Sequence, residues 1–287
     1  MRPYQYYPAY PDGKRKAFTV SYDDGNDCDE KLVMMLRKHH AKGTFNINSA
    51  MFGDLDDAPE PRRWRRMTAE ESVALYGDDM EVAVHGAVHP YWDCMHSESL
   101  LQDIYEDKRE LERLFGRIIR GAAAPYGRMS DDVADVLRLA GFTYCRAGKS
   151  TKRLRLRRFD PMHFTGTVHH RDPAALELAQ ELADASGDDG QLRLLYVVGH
   201  SYEFIERDNW HVMEEILSTV CDREDIWYCT NLELFDYLAA VKQLHWNVDQ
   251  SLVENPTAQD VWMNRMRIYK DPEMITVKIP AGQTVKL

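Results

Sequence analysis

Cysteine is scarce in this 287-residue chain: Cys28, Cys94, Cys145, Cys221 and Cys229 are the only five, and none sits in a CxxC spacing. An odd set with no CxxC argues against a disulfide framework and against structural zinc, and reads as reduced thiols. Long apolar runs are missing too. Stretches such as RLLYVVGH are far too short to span a bilayer. The opening MRPYQYYPAYPDGKRKAF contains no apolar h-region, so it is not a secretory signal. Read as complete, the chain is expected to stay in the cytoplasm, with no membrane partner. Excess positive charge is also absent: 36 Lys and Arg face 47 Asp and Glu, a net charge of -11, which argues against a general nucleic-acid binder. Two basic clusters, Arg62 to Arg66 (RRWRR) and Lys152 to Arg158 (KRLRLRR), interrupt the acidity. Both read as solvated faces, the alternating Arg and Leu fitting a half-exposed strand; an anionic substrate is the other reading. No repeat or low-complexity tract stands out.

What the chain does have is 44% hydrophobic residues, enough for a substantial core. Its pattern alternates strands and helices. AFTVSY, TFNINS, MEVAVHG, FTYCRA, QLRLLYVVGH and IWYCT read as strands, separated by helical stretches such as SESLLQDIYEDKRELERLFG. Thr68 and Glu71 have capping-box spacing, so a helix is expected to follow. Repeated βα units imply a parallel sheet, and their number suggests a barrel rather than a short doubly wound sheet. Residues 1–245 are expected to form that barrel. Residues 246–287, with short alternating runs and turn signals, are expected to form a small β-rich appendix packed on it.

Four features fall at the C-terminal ends of expected strands, where the βα loops of such barrels share one rim. They are SYDDG (Asp23 and Asp24), VAVHGAVHP (His85 and His89), AAAPYG (Tyr126) and YVVGH (His200). Two histidines at i and i+4 lie close if the segment turns helically. A carboxylate from another strand end supplies a third ligand, and His-His-Asp with an open position is a catalytic zinc layout. The same set suits iron or cobalt. Successive strand side chains point to opposite faces, so Asp23 and Asp24 are expected to have separate tasks, with Gly25 supplying the turn.

In order and strand context, these motifs resemble those of the polysaccharide deacetylase family (NodB homology, carbohydrate esterase family 4), from about residue 17 to about 240. The resemblance implies an α/β fold, a distorted (β/α) barrel of NodB type. It also implies one divalent metal, zinc or else iron, cobalt or manganese, held by Asp24, His85 and His89. Asp23 would be the base acting on the activated water and His200 the acid that protonates the leaving amine. The Tyr126 N–H would help hold the oxyanion. The implied substrate is an N-acetylated carbohydrate: an amino sugar, oligosaccharide or polysaccharide. Two alternatives are hydrolysis of cyclic imide or ureide C–N bonds on this scaffold, and a non-catalytic carbohydrate-binding relative.

Several positions depart from the family pattern. Ala123 stands where an arginine would pair with the base, and Arg146, at the end of FTYCRA, is the candidate replacement. Gly86 replaces a Ser or Thr, which should loosen the loop between the histidines. Val198 replaces a leucine beside His200. No Asp-containing motif matches for tuning His200, leaving Asp160 as its candidate partner. Outside the motifs, Asn46 or Asn48 could face substrate. Tyr202, Phe204 and Trp210 could form a sugar-binding wall or core. His39 and His40 read as structural, and the adjacent pair His169 and His170 as a poor metal site.

Overall fold

Strand β2 shows why the chain folds as it does. All eight of its residues, KAFTVSYD, are buried, as in a parallel strand covered on both faces. Helix α3 buries Leu100, Ile104 and Leu111 along one stripe, and α2 opens with the expected capping box between Thr68 and Glu71.

The computed structural model describes residues 4–54, 64–156, 159–186, 189–267 and 274–287. Arg62, Arg63, Arg157 and Arg158 of the two basic clusters lie outside the described residues. The chain begins with β1 (Tyr4–Ala9), β2 (Lys16–Asp23), α1 (Asp29–Lys38) and β3 (Thr44–Ile47). Next come α2 (Ala69–Tyr76), β4 (Glu81–Val84), α3 (Ser97–Phe115), β5 (Gly121–Ala123), α4 (Asp131–Leu139) and β6 (Tyr144–Ala147). Two short strands, β7 (Phe164–Thr165) and β8 (Val168–His169), precede α5 (Ala174–Asp184), β9 (Arg193–Gly199), α6 (Tyr202–Arg207) and α7 (Trp210–Val220). The remainder is β10 (Ile226–Tyr228), α8 (Asn231–Lys242), β11 (His245–Trp246), β12 (Leu252–Glu254), β13 (Val261–Arg267), β14 (Met274–Ile279) and β15 (Thr284–Lys286).

Nine strands form one parallel sheet in the order β7-β6-β5-β4-β3-β2-β9-β8, with β10 also pairing with β2. The sheet forks at β2, which meets β10 through residues 16–18 and β3 through residues 21–23. The two ends of the path, β7 and β8, are consecutive in the chain, with Gly166 and Thr167 between them. The sheet therefore curls round on itself as an open, distorted (β/α) barrel. Two small antiparallel sheets, β1-β13-β14 and β11-β12-β15, contain the extra C-terminal strands. β1 has no counterpart in the sequence reading: its tyrosine-rich, proline-containing run finds its partner, β13, at the other end of the chain. Among the described residues, no helix is long and apolar enough to cross a membrane.

Candidate active site

The parallel register brings the four motif loops to one rim. Asp23 closes β2 and pairs with Asn46 of β3, while Gly199 of β9 pairs with Tyr22. The alternation rule would send Asp24 to the opposite face, but Asp24 has φ 77° and Gly25 φ 57°. The turn thus begins one residue before the glycine. It places the two carboxylates side by side, with His200 Nε2 3.8 Å from Asp23 and 3.9 Å from Asp24. They line a cavity of about 360 Å³ together with His85, His89, Tyr126 and His200.

Asp24, His85 and His89 offer ligand atoms that all lie within 4.8 Å of one another. His85 Nδ1 lies 2.8 Å from the Ala123 carbonyl, which assigns the proton to Nδ1 and turns the Nε2 lone pair toward the site. Burial lowers the pKa of His85; burial and the neighbouring His85 pull His89 down to about 4. Both imidazoles are therefore neutral at pH 7, the state in which histidine binds a metal. Two neutral imidazoles and a carboxylate from different strand ends fit a divalent cation.

The loop between the histidines is not loose. Gly86 has φ 75°, and a Cβ there would come within 2.9 Å of Pro90 and 3.1 Å of Asp103 and Trp92. Asn48 Nδ2 donates to the carbonyls of His85 (2.6 Å) and Gly86 (2.8 Å). Asp107 accepts from the backbone N–H groups of His85 (3.0 Å) and Ser49 (2.8 Å). Asn48 therefore anchors the loop rather than facing substrate.

Asp23 is held from the side. Ala123 of β5 pairs in register with Arg146 of β6, and the Arg146 guanidinium crosses the rim to both Asp23 oxygens at 2.5 Å. Asn46 Nδ2 adds a 2.8 Å bond to Asp23 Oδ1, so Asn46 orients the carboxylate instead of a substrate. Burial alone would raise the Asp23 pKa; Arg146, His85 and His200 outweigh it and hold the carboxyl well below the usual range.

His200 is paired with Glu203, not with Asp160. Its Nδ1 lies 3.5 Å from Glu203 Oε1, and its backbone N–H donates to Oε2 at 3.4 Å. Asp160 is engaged elsewhere, with Arg138, His163 and the Met162 N–H. Burial opposes the charged imidazole, but Glu203, Asp23 and Asp24 prevail, and His200 rises to about 9. The sequence signal was the His-x-x-Glu spacing at a helix start. Exchanging Glu203→Gln is expected to lower the His200 pKa, seen in imidazole NMR titrations of the metal-free protein. The alkaline limb of any activity should then move to lower pH.

His169 and His170 also gather on Glu203, at 3.4 and 3.3 Å. Contrary to the sequence expectation, the adjacent pair and Glu203 offer ligand atoms within 4.8 Å of one another, a second candidate cluster, on which Arg171 donates to Glu203 at 2.6 Å. His170 packs against β9 so closely that a Cβ on Gly199 would fall 2.1 Å from its Nδ1. Of the proposed aromatic wall, Tyr202 reaches the cavity and stacks on Trp64 with ring centroids 4.3 Å apart. Phe204 is fully buried core, and Trp210 packs on it. Tyr126 has φ 56°, stacks on Tyr91 and meets His89 edge-on. His39 pairs with Glu214, in keeping with a structural role.

Buried acids at core-facing helix positions escaped the sequence reading. Asp107 interrupts the apolar stripe of α3, and Asp29 that of α1. Asp29 bonds the Ser201 hydroxyl at 2.5 Å and accepts from Tyr76 at 2.6 Å; Ser201 also meets Asn26 at 2.7 Å. This cluster ties the loop after β2 to the loop carrying His200. Burial pushes Asp29 up to about 7 against the bonds from Ser201 and Tyr76. The folded chain thus keeps a proton that an unfolded aspartate releases above about pH 4. Stability should fall as pH rises from there through 7, and Asp29→Asn should flatten that slope in denaturant titrations.

Residues 11–145 match the family model described as Polysaccharide deacetylase. A Mycobacterium smegmatis structure assigned as a polysaccharide deacetylase superposes with TM-score 0.55 at 17% identity, covering 82% of this chain and 94% of that one. A variant of a Bacillus anthracis family 4 carbohydrate esterase pseudoenzyme, with restored activity, superposes at TM-score 0.50 and 14% identity, covering 80% and 70%. Both likenesses are of fold. The uncharacterized Bacillus subtilis protein YlxY is 22% identical over 136 residues, 47% of this chain. That match spans 39% of YlxY's own length. The segment that matches the polysaccharide deacetylase model includes both aspartates, both loop histidines and Tyr126.

Proposed function

We propose that the protein is a metal-dependent hydrolase that removes the N-acetyl group from an amino sugar or a glycan containing one. The observation that carries this reading is the separate anchoring of two adjacent carboxylates. Asp24 stands with two neutral imidazoles, while Asp23 is held beside them by Arg146. Asp24, His85 and His89 would hold a divalent ion, which would supply a Lewis acid and ease deprotonation of water near neutral pH.

Asp23, ionised across the physiological range, accepts the proton of the attacking water. His200, charged when its pKa is high, delivers a proton to the departing nitrogen. The Tyr126 N–H stabilises the oxyanion, while Val198 and Gly199 form part of the cavity wall. The amide and one water become acetate and a protonated amine.

The test is metal analysis paired with acetate release from N-acetylated amino sugars and chitooligosaccharides, and with ring opening of small cyclic imides. Acetate release requiring one bound ion per chain supports the reading. Imide turnover without acetate release would assign the site to the other C–N bonds, and tight glycan binding without turnover would make it a binding protein.

A further inference from the structure

Arg66, the last residue of the RRWRR cluster, is not on a solvated face. Residues 65–67 run along the turn that follows the metal-ligand aspartate: Asp27 N donates to Arg65 O at 2.9 Å and Met67 N to Gly25 O at 2.9 Å. This backbone pairing points the Arg66 side chain, 12% exposed, into the site. Its Nη2 donates to Asp24 Oδ1 at 3.0 Å and lies 3.3 Å from Asn48 Oδ1. The Asn48 amide is fixed by its donations to His85 and Gly86, so its oxygen must face Arg66. One guanidinium therefore touches the Asp24 carboxylate and, through Asn48, the loop bearing the two histidines.

We propose that Arg66 is a positioning residue that competes with the metal for the charge of Asp24, keeping the ion's affinity below what the three ligands alone would give. This inference rests on the metal reading of Asp24, His85 and His89. Of the charged groups at the rim, Asp23 is matched by Arg146 and Asp24 by Arg66, while His200 Nε2 lies 3.9 Å from Asp24. A dication entering the site therefore faces a fixed cation on its only anionic ligand. Removing that cation leaves Asp24, whose side chain is 8% exposed, with its direct guanidinium partner gone, a better host for a divalent ion.

Orientation pulls the other way. Groups that hold a metal ligand in place commonly strengthen binding, and their loss weakens it by about 10–100-fold. Asp24, however, is also fixed through its backbone, whose N–H donates to Asn46 O at 3.0 Å, and through the turn that follows. The charge effect should therefore dominate.

The sign of the change is the test. Metal-free wild type, Arg66→Gln and Arg66→Lys are titrated with zinc(II) and cobalt(II) against a chromophoric chelator, and their melting curves are recorded without metal. Arg66→Gln is expected to bind about tenfold more tightly, equivalent to about 1.4 kcal/mol of relieved charge competition. Arg66→Lys should stay near wild type. Damage to the fold would weaken binding, so tightening cannot come from it. Equal or weaker binding by a folded Arg66→Gln protein overturns the proposal and leaves Arg66 as an orienting group only. A wild type that binds neither ion overturns the metal reading instead.

Discussion

Asp23→Asn is expected to retain one metal ion per chain and to lose turnover by about 10²–10⁴-fold, the usual contribution of a positioned general base. The amide is nearly isosteric and can still meet Asn46 and one arm of Arg146, but it cannot take a proton from water at neutral pH. Metal content by elemental analysis and kcat by acetate release check the two halves separately. Loss of the ion would mean that the two aspartates have been assigned the wrong way round. The substitution also leaves Arg146 without its counter-charge in a buried setting, so a lower melting temperature should accompany the lost activity.

Arg146→Ala has the second large effect. Its guanidinium is 6% exposed and Asp23 8%, so truncation leaves a carboxylate buried and unpaired. Breaking such a pair costs about 3–5 kcal/mol of stability. The pH consequence follows from Asp23, whose folded pKa is depressed with Arg146 as its main cationic partner. In the wild type that stabilisation is present above the unfolded aspartate pKa of about 4 and is lost only as pH falls through the depressed value. In Arg146→Ala, burial goes less opposed and the Asp23 pKa rises. The acid limb of the activity profile should shift to higher pH, with metal content unchanged. An unchanged acid limb would show that Arg146 does not set the protonation of Asp23.

The strand and helix order was legible because each βα unit carries its own local period and caps. The rim was legible because the aspartates, histidines and Tyr126 follow strands, where a parallel barrel gathers its loops. The β1–β13 pairing was not legible, since nothing local in a tyrosine-rich run names a partner at the far end of the chain. Glu203 and Arg66 were missed for a related reason. Glu203 is tied to His200 only once a helix begins at Tyr202. Arg66 reaches Asp24 only through the backbone pairing of residues 65–67 with the turn after β2. Asn46 and Asn48 were placed on the right strand end, but their amides are consumed by Asp23 and by the histidine loop, a matter of side-chain geometry.

A parallel sheet normally ends in two strands whose outward N–H and C=O groups invite another chain to add on. Here both terminal strands, β7 and β8, are two residues long and are joined to each other through Gly166 and Thr167. Among the described residues the third free strand, β10 at the fork, is only three residues long, so the short ends and the joint that curls the sheet round guard it against edge-to-edge self-association.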